Sequence, residues 1–372
     1  MSILLGFNSI VFTVLALRIS KSIRHNIPKV SPTKLAFESD MPSVTVCIPA
    51  RNEEHALAEC LQRVINSTYE KIEIIVLDDS SNDNTSLLIK SFAHAGVRFV
   101  RGSRPPEGWL GKNHALKELA AQASGSYVLF MDVDTRLSPM AIENIMRSTL
   151  SRGVTMLSVI PRRVDGWRAS VLWSPLKYFW ELLRNRPLAP AAASNAWMVK
   201  RSVVQAFYKN DEANIKSAVL PEAYIASQLK EEYGFIVGTR AFGVSYEKKW
   251  SSQCETSIRL LHPMLGGMTG VSLLASLGLL SLLAPYAILV TALWLPFSLI
   301  HSLALGLIAG FGLLYTYYAR TLWNTGWQIA VLLWPLIIAQ EAILLIISIV
   351  LYKQGRVLWK GRPIRSVQPT LK

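Results

Sequence analysis

Two aspartates one residue apart, Asp132 and Asp134, end the apolar run in "SYVLFMDVDTR". On an extended backbone, residues two apart face one side, and two carboxylates so close repel each other unless a cation lies beside them. Their hard oxygens suit Mg2+ or Mn2+, ions commonly shared with substrate phosphates. Taken alone the pair is a weak signal, since an Asx turn or a cap on the following helix, which Asp134 or Ser138 could supply, also accounts for it. Two further polar clusters strengthen the chemical reading. "PARNEE" carries Pro49, Arg51 and Glu53, "LDDSSNDNT" carries Asp78 and Asp79, and each follows an apolar run of its own. "GWLGKNHAL" adds Lys112 at the start of a helical pattern, where a cation beside unsatisfied N–H groups suits a diphosphate; the alternative is a solvated surface lysine. Neither a Walker-type nor a Rossmann glycine-rich loop is present, so a nucleotide would be held by side chains and metal.

The elements that must position these residues follow from hydrophobic patterning. Val44–Pro49, Ile72–Leu77, Val97–Val100 and Tyr127–Met131 are short, mostly continuous apolar runs, as expected of parallel strands covered on both faces. Leu57, Cys60, Leu61, Val64 and Ile65 form one helical stripe, and Leu116, Leu119, Ala120 and Ala123 another. Strand–helix alternation predicts an α/β fold with a parallel sheet and right-handed crossovers. Ligands in such folds bind beyond the carboxyl ends of the strands, and three of the four predicted ends carry the polar clusters.

Composition places this domain beside a membrane. The 372 residues are 51% hydrophobic with a mean hydropathy of +0.29. The apolar content is concentrated: Pro263–Ala319 holds no Lys, Arg, Asp or Glu, which marks membrane rather than core. Four parts are expected: an N-terminal transmembrane anchor at 1–22, a globular part at 40–255, a transmembrane region of three or four spans at 263–352, and a basic cytoplasmic tail at 353–372. Ile3–Ile19 lacks the basic n-region and cleavage site of a secretory signal, so an uncleaved anchor fits better. The net charge of +14 lies partly beyond the apolar runs, at Arg18, Lys21, Arg24, Lys29 and Lys34 and at Lys353, Arg356, Lys360, Arg362, Arg365 and Lys372. That pattern puts both flanks on the cytoplasmic side, so the crossings after residue 260 should be even in number. No basic stripe interleaved with aromatics occurs, which argues against nucleic acid as a partner. Residues 167–186, rich in Trp and basic side chains, predict an amphipathic helix, either interfacial or packed on the soluble domain. His301 and Glu341, inside apolar stretches, suggest packing or interfacial roles more than function. Cys47, Cys60 and Cys254 have no metal or disulfide spacing.

In order and spacing, "VCIPARNEE", "VLDDSSNDNT", "GWLGKNHAL" and "FMDVD" resemble the GT-A domain of family 2 inverting glycosyltransferases. The "GW-x-GK-x-HA" block and the tail "VLWKGRPI" resemble the membrane-anchored glycosyltransferases of carotenoid and hopanoid pathways. The resemblance implies a Rossmann-like nucleotide-sugar-binding domain, a UDP-sugar donor and a divalent metal, Mg2+ or Mn2+. It implies that Pro49, Arg51 and Glu53 line the nucleoside pocket, that Asp78 and Asp79 approach uracil and ribose, and that Lys112 lies near the diphosphate. Asp132 and Asp134 match the metal- and ribose-contacting pair, with Asp134 the direct metal ligand. The family's Glu-Asp base motif is replaced by Pro221-Glu222 in "LPEAYIASQLKEEYG", so Glu222 becomes the candidate base, or else an ordinary first-turn acid. A Q-x-x-R-W motif is absent, against a polysaccharide synthase. The expected activity is transfer, with inversion, to a lipid acceptor of carotenoid, hopanoid or glycolipid type. The expected location is the cytoplasmic membrane, multi-pass, with the catalytic domain facing the cytoplasm. The rival readings are a polyprenyl-phosphate sugar synthase and a non-catalytic membrane protein that retains the fold.

Overall fold

The computed structural model describes residues 1–28, 41–165, 167–186 and 189–364. Lys29, Lys34, Arg365 and Lys372 of the basic flanks, and the expected domain start at residue 40, lie outside the described residues. The chain forms two compact units. One comprises Met1–His25, Arg163–Arg184 and Lys248–Val357; the other comprises Asn26–Arg162, Asn185–Glu247 and the chain from Leu358 onward.

The second unit is built on a seven-stranded sheet. The four expected strands all form, as β1 (Val44–Ala50), β2 (Ile72–Asp78), β3 (Val97–Arg101) and β4 (Tyr127–Met131). β1 lies parallel between β2 and β4, with Ala50 opposite Asp78 and Cys47 opposite Phe130, so their polar carboxyl ends meet at one edge. Three strands absent from the sequence reading, Met156–Ile160, Ala196–Lys200 and Tyr233–Val237, extend the sheet beyond β4. Ala196–Lys200 runs antiparallel to both of its neighbours, so the sheet is mixed and not wholly parallel as expected. Five-residue apolar runs carry no directional signal; cross-strand packing supplies it. Phe130 and Trp197, directly opposite each other, stack with ring centroids 4.3 Å apart, the kind of pair that stabilises an antiparallel ladder by about 0.2–1 kcal/mol.

Helices cover this sheet. After α1 (Ser2–Asn26), which belongs to the other unit, come α2 (Glu54–Ile65), α3 (Thr85–Ser91) and α4 (Gly111–Gln122). On α2 the stripe Leu57, Cys60, Leu61 and Val64 is fully buried, and each such aliphatic side chain contributes roughly 1.5–3 kcal/mol. α4 buries Leu116, Leu119 and Ala120. Gly125, entering β4, must be glycine: a Cβ there would stand 2.7 Å from the Thr45 nitrogen.

The other unit is helical. Among the described residues, four helices are long and apolar enough to cross a membrane: Ser2–Asn26, Thr269–Leu293, Leu299–Leu322 and Trp327–Lys353. Three follow residue 260, where an even number of crossings was expected. The first of the three is broken into Thr269–Ser281 and Ala284–Val290. Its longer piece, 13 residues, extends only about 20 Å, whereas the 24 residues of Leu299–Leu322 extend about 36 Å. Leu274, Leu277, Leu313 and Leu332 point outward, exposed, as lipid-facing side chains do. The amphipathic segment is not one helix but two, Ala169–Leu172 and Lys177–Arg184, because Pro175 has no N–H to continue the ladder. Phe179 is buried against Tyr318 and Trp334, with centroids 5.3 Å and 6.0 Å away, so this segment packs on apolar helices of its own unit. Glu341, fully buried, accepts hydrogen bonds from the Leu176 N–H (2.8 Å) and Trp180 Nε1 (2.7 Å). His301 completes a capping box with Ser298. Both are packing residues.

Candidate functional site

The polar ends of β1 and β2 are laced together. Arg51 donates through Nη1 to the backbone oxygens of Asp79 (2.6 Å) and Ser80 (3.0 Å). Asn52 and Ser80 adopt the left-handed region, at φ 52° and 56°, a conformation that recurs at functional turns and costs on the order of 1 kcal/mol or more. Asn52 Oδ1 accepts from the Asn82 N–H at 2.9 Å and thereby spans the two loops. Pro49 is half-buried, opposite Leu77. Asp78 turns inward: its carboxylate accepts the Ser81 N–H at 3.0 Å and the Ser86 hydroxyl, so it shapes the loop. Asp79 is held by its own N–H on the Ala50 oxygen (2.8 Å) and is 4% exposed.

In the sequence the last residues are a basic tail that carries the family-like "VLWKGRPI". They return to this edge as a short hairpin, Leu358–Trp359 paired with Arg362–Pro363. Arg362 donates twice from Nη1 to the Asp79 carboxylate, at 2.7 Å and 2.9 Å. Lys360 donates to the Arg51 oxygen at 2.7 Å and pairs with Glu53. Burial pushes the Asp79 carboxyl above its ordinary value even though the Arg362 guanidinium opposes this. Burial lowers Arg51, and the neighbouring Arg362 charge adds to that lowering. The one advance signal for these residues was the family-like "VLWKGRPI".

The β4 end forms a second corner. Lys112 Nζ lies 2.5 Å from Asp132 Oδ1. Asn195, not anticipated from the sequence, organises the turn: its oxygen accepts the Asp132 N–H (3.2 Å) and the Thr135 hydroxyl (2.8 Å), and its Nδ2 donates to Asp134 Oδ1 at 3.1 Å. Asn195 had no signal beyond its place before an apolar run. Lys112 is aimed by the start of α4, where the Leu110 N–H bonds to the Lys216 oxygen at 2.9 Å and Asn113 Nδ2 donates to the oxygens of Ile215 (2.7 Å) and Ala218 (2.8 Å).

Two hard carboxylates on one turn, beside a lysine, fit a divalent cation shared with phosphate oxygens. Among the described residues no third His, Cys, Asp or Glu joins them, so the remaining coordination would come from donor and water. Glu222 differs. It opens the helix Pro221–Leu229, four residues past the Ala218 anchored by Asn113, and is 1% exposed. Burial raises the Tyr208 phenol, and the Glu222 charge raises it further, so that carboxylate acts on a buried hydroxyl.

Residues 45–207 match glycosyl transferase family 2, a segment that includes Lys112, Asp132 and Asp134 and ends before Glu222. A probable glycosyltransferase of Bacillus subtilis, YdaM, is 31% identical over 125 residues, 32% of this chain and 29% of that protein. The 4,4'-diaponeurosporenoate glycosyltransferase of Staphylococcus haemolyticus is 35% identical over 107 residues, 28% of each chain. The chain thus spans less than a third of the length of either relative. The mannosyltransferase PcManGT from Pyrobaculum calidifontis, solved with GDP-Man and Mn2+, has a TM-score of 0.55 at 16% identity, over 95% of this chain and 99% of that one. At that identity the likeness is one of fold, and the fold is of the GT-A type.

Proposed function

We propose that this chain, whose residues 45–207 are a glycosyl transferase family 2 domain, transfers a sugar from a nucleoside diphosphate donor to a lipid acceptor in the membrane, with inversion. The observation that carries the reading is the Lys112–Asp132–Asn195–Asp134 corner at the end of β4, inside the matched segment. UDP is the expected nucleotide. Asp132 and Asp134 would hold Mg2+ or Mn2+, which when bound supplies positive charge for the departing diphosphate. Lys112, oriented by Asp132, stabilises the same developing charge, and preorganised donors of this kind are worth roughly 10²–10³ in kcat. Arg51 braces the loops after β1 and β2, which with Pro49, Glu53, Asp78 and Asp79 line the nucleoside side. Glu222 is the candidate base for an acceptor hydroxyl; an acceptor that is already a carboxylate needs none.

The apolar helices and the carotenoid-type relative support a lipid acceptor. That the chain leaves the sheet-containing unit at Glu247 and re-enters it at Leu358 supports a reading in which both ends of the intervening segment are on one side of the bilayer. The crossings between them are then even in number, with the broken Thr269–Leu293 as the segment that does not span. The basic flanks put that side in the cytoplasm.

The test uses the full chain in lipid nanodiscs with UDP- and GDP-sugars, Mg2+ or Mn2+ and a total lipid extract. Nucleoside diphosphate release and a glycosylated lipid by mass spectrometry are expected, and both should be lost in a folded Asp134→Ala. Absence of release with every donor would sink the enzymatic reading.

A further inference from the structure

We propose that the C-terminal hairpin is a wall of the donor pocket and that Arg362 is a donor-binding residue, exchanging Asp79 for the diphosphate of a nucleotide. The inference deepens the donor reading above and rests on it. Arg362 lies 283 positions from Asp79 in sequence, yet it makes two hydrogen bonds to that carboxylate at the carboxyl edge of the sheet, where ligands of such folds bind. The hairpin reaches the start of α4 as well: a Cβ on Gly111 would lie 2.7 Å from Arg362 Nη1 and 3.6 Å from the Trp359 ring. Gly111 precedes Lys112, so the tail guanidinium and the lysine of the β4 corner flank one turn of backbone. Lys360 closes the other side, on the Arg51 oxygen and Glu53.

Charge explains why an anion belongs there. Arg51 and Arg362 lie close enough that their charges oppose one another; Asp79 faces both, and Asp78 also acts on Arg51. A guanidinium that meets both oxygens of a carboxylate through Nη1, with Nη2 turned to the Asp79 backbone oxygen at 3.4 Å, keeps donors with which it can grip a phosphate. Asp79 then serves as a placeholder that keeps the guanidinium aimed when no nucleotide is present. Arg362 is 26% exposed on its side chain against 6% for Asp79, so it is the partner free to move. Because the same group serves tail and ligand, nucleotide affinity and tail docking must be linked, each strengthening the other by the same factor.

Isothermal titration of UDP into the full chain in detergent, with Mg2+ present, reads the first half of that linkage. Arg362→Ala should weaken UDP at least about tenfold, equivalent to about 1.4 kcal/mol. Arg362→Lys, which keeps the charge without the fork, should fall between. Tryptic cleavage of the Lys360–Gly361 bond reads the second half: UDP should slow it in the wild type and leave Arg362→Ala unaffected. Should Arg362→Ala unfold, Arg362→Lys carries the comparison. Wild-type affinity in both variants, or cleavage indifferent to UDP while UDP binds, would overturn the role of the tail and spare the donor reading. Failure of the wild type to bind either UDP or GDP would overturn the donor reading itself.

Discussion

Gly111→Ala separates tail docking from the stability of the fold. An added Cβ would lie 2.7 Å from Arg362 Nη1 and 3.2 Å from Asp79 Oδ2. The guanidinium ends a flexible side chain, so it is Arg362 that yields, and its two bonds to Asp79 at 2.7 Å and 2.9 Å open. Hydrogen bonds to charged groups are worth roughly 1.5–3 kcal/mol when buried. Solvent reaches this pair from the arginine side, with side-chain exposures of 26% and 6%, so the pair is worth about 1–2 kcal/mol, a factor of about 5–30 in the docking equilibrium. Within α4 itself the change is favourable, since alanine exceeds glycine in helix propensity by up to about 1 kcal/mol. The full chain in detergent should therefore keep or raise its thermal midpoint. Trypsin should cut Lys360–Gly361 about 5–30 times faster, because cleavage follows the undocked population when reclosing is fast. Wild-type cleavage with an unchanged midpoint would falsify docking through this ion pair. A lowered midpoint with unchanged cleavage would assign Gly111 to the packing of α4.

Glu222→Gln should lower kcat by roughly 10²-fold or more with donor KM unchanged, as loss of a base does; a joint loss of kcat, donor affinity and thermal stability would mark Glu222 as a core residue beside Tyr208. Glu341→Ala leaves the Leu176 N–H and Trp180 Nε1–H without their acceptor, at roughly 1–3 kcal/mol each. Thermal unfolding should show the loss, with Glu341→Gln closer to wild type; equal stability of all three would refute the role. Glu73 ties β2 to its neighbours through Thr45 (2.6 Å), Ser124 (2.8 Å and 2.9 Å) and Arg98 (3.3 Å). Burial would raise its carboxyl, but the Thr45 and Ser124 hydrogen bonds and the Arg98 charge outweigh burial and hold it below its ordinary value of 4.5. A carboxyl lowered in the folded state adds stability above its unfolded value, and that stability is lost as pH falls through the folded value. The stability gap between wild type and Glu73→Gln should therefore be widest at neutral pH and close below about pH 4. A gap independent of pH would show that only packing is at stake.

The site was legible in part, because its chemistry is local. β1, β2 and β4 each end in a polar cluster one or two residues past an apolar run, and a chain that alternates strands and helices must bring those ends to one edge. Lys112 could be placed for the same reason, at the head of a helix whose apolar stripe fixes its direction. The three further strands could not, since Met156–Ile160, Ala196–Lys200 and Tyr233–Val237 are five mostly apolar residues each and only pairing sets their order and direction. Nor could the break at Pro175 be weighed against the helical stripe around it until Phe179 had a partner in Trp334. The composition announced apolar helices, and Pro285, at the start of the second piece, is the local signal for where the first of the three after residue 260 is interrupted. Asn195 is invisible to any pattern: an isolated amide gains meaning only when the turn at Asp132–Asp134 folds against it. Arg362 and Lys360 read as flanking charge because their partners, Asp79 and Glu53, lie some three hundred residues away. By itself the sequence determined what the strand ends carry; contacts between distant segments decided what closes over them, because closure is made by pairs that no local periodicity can encode.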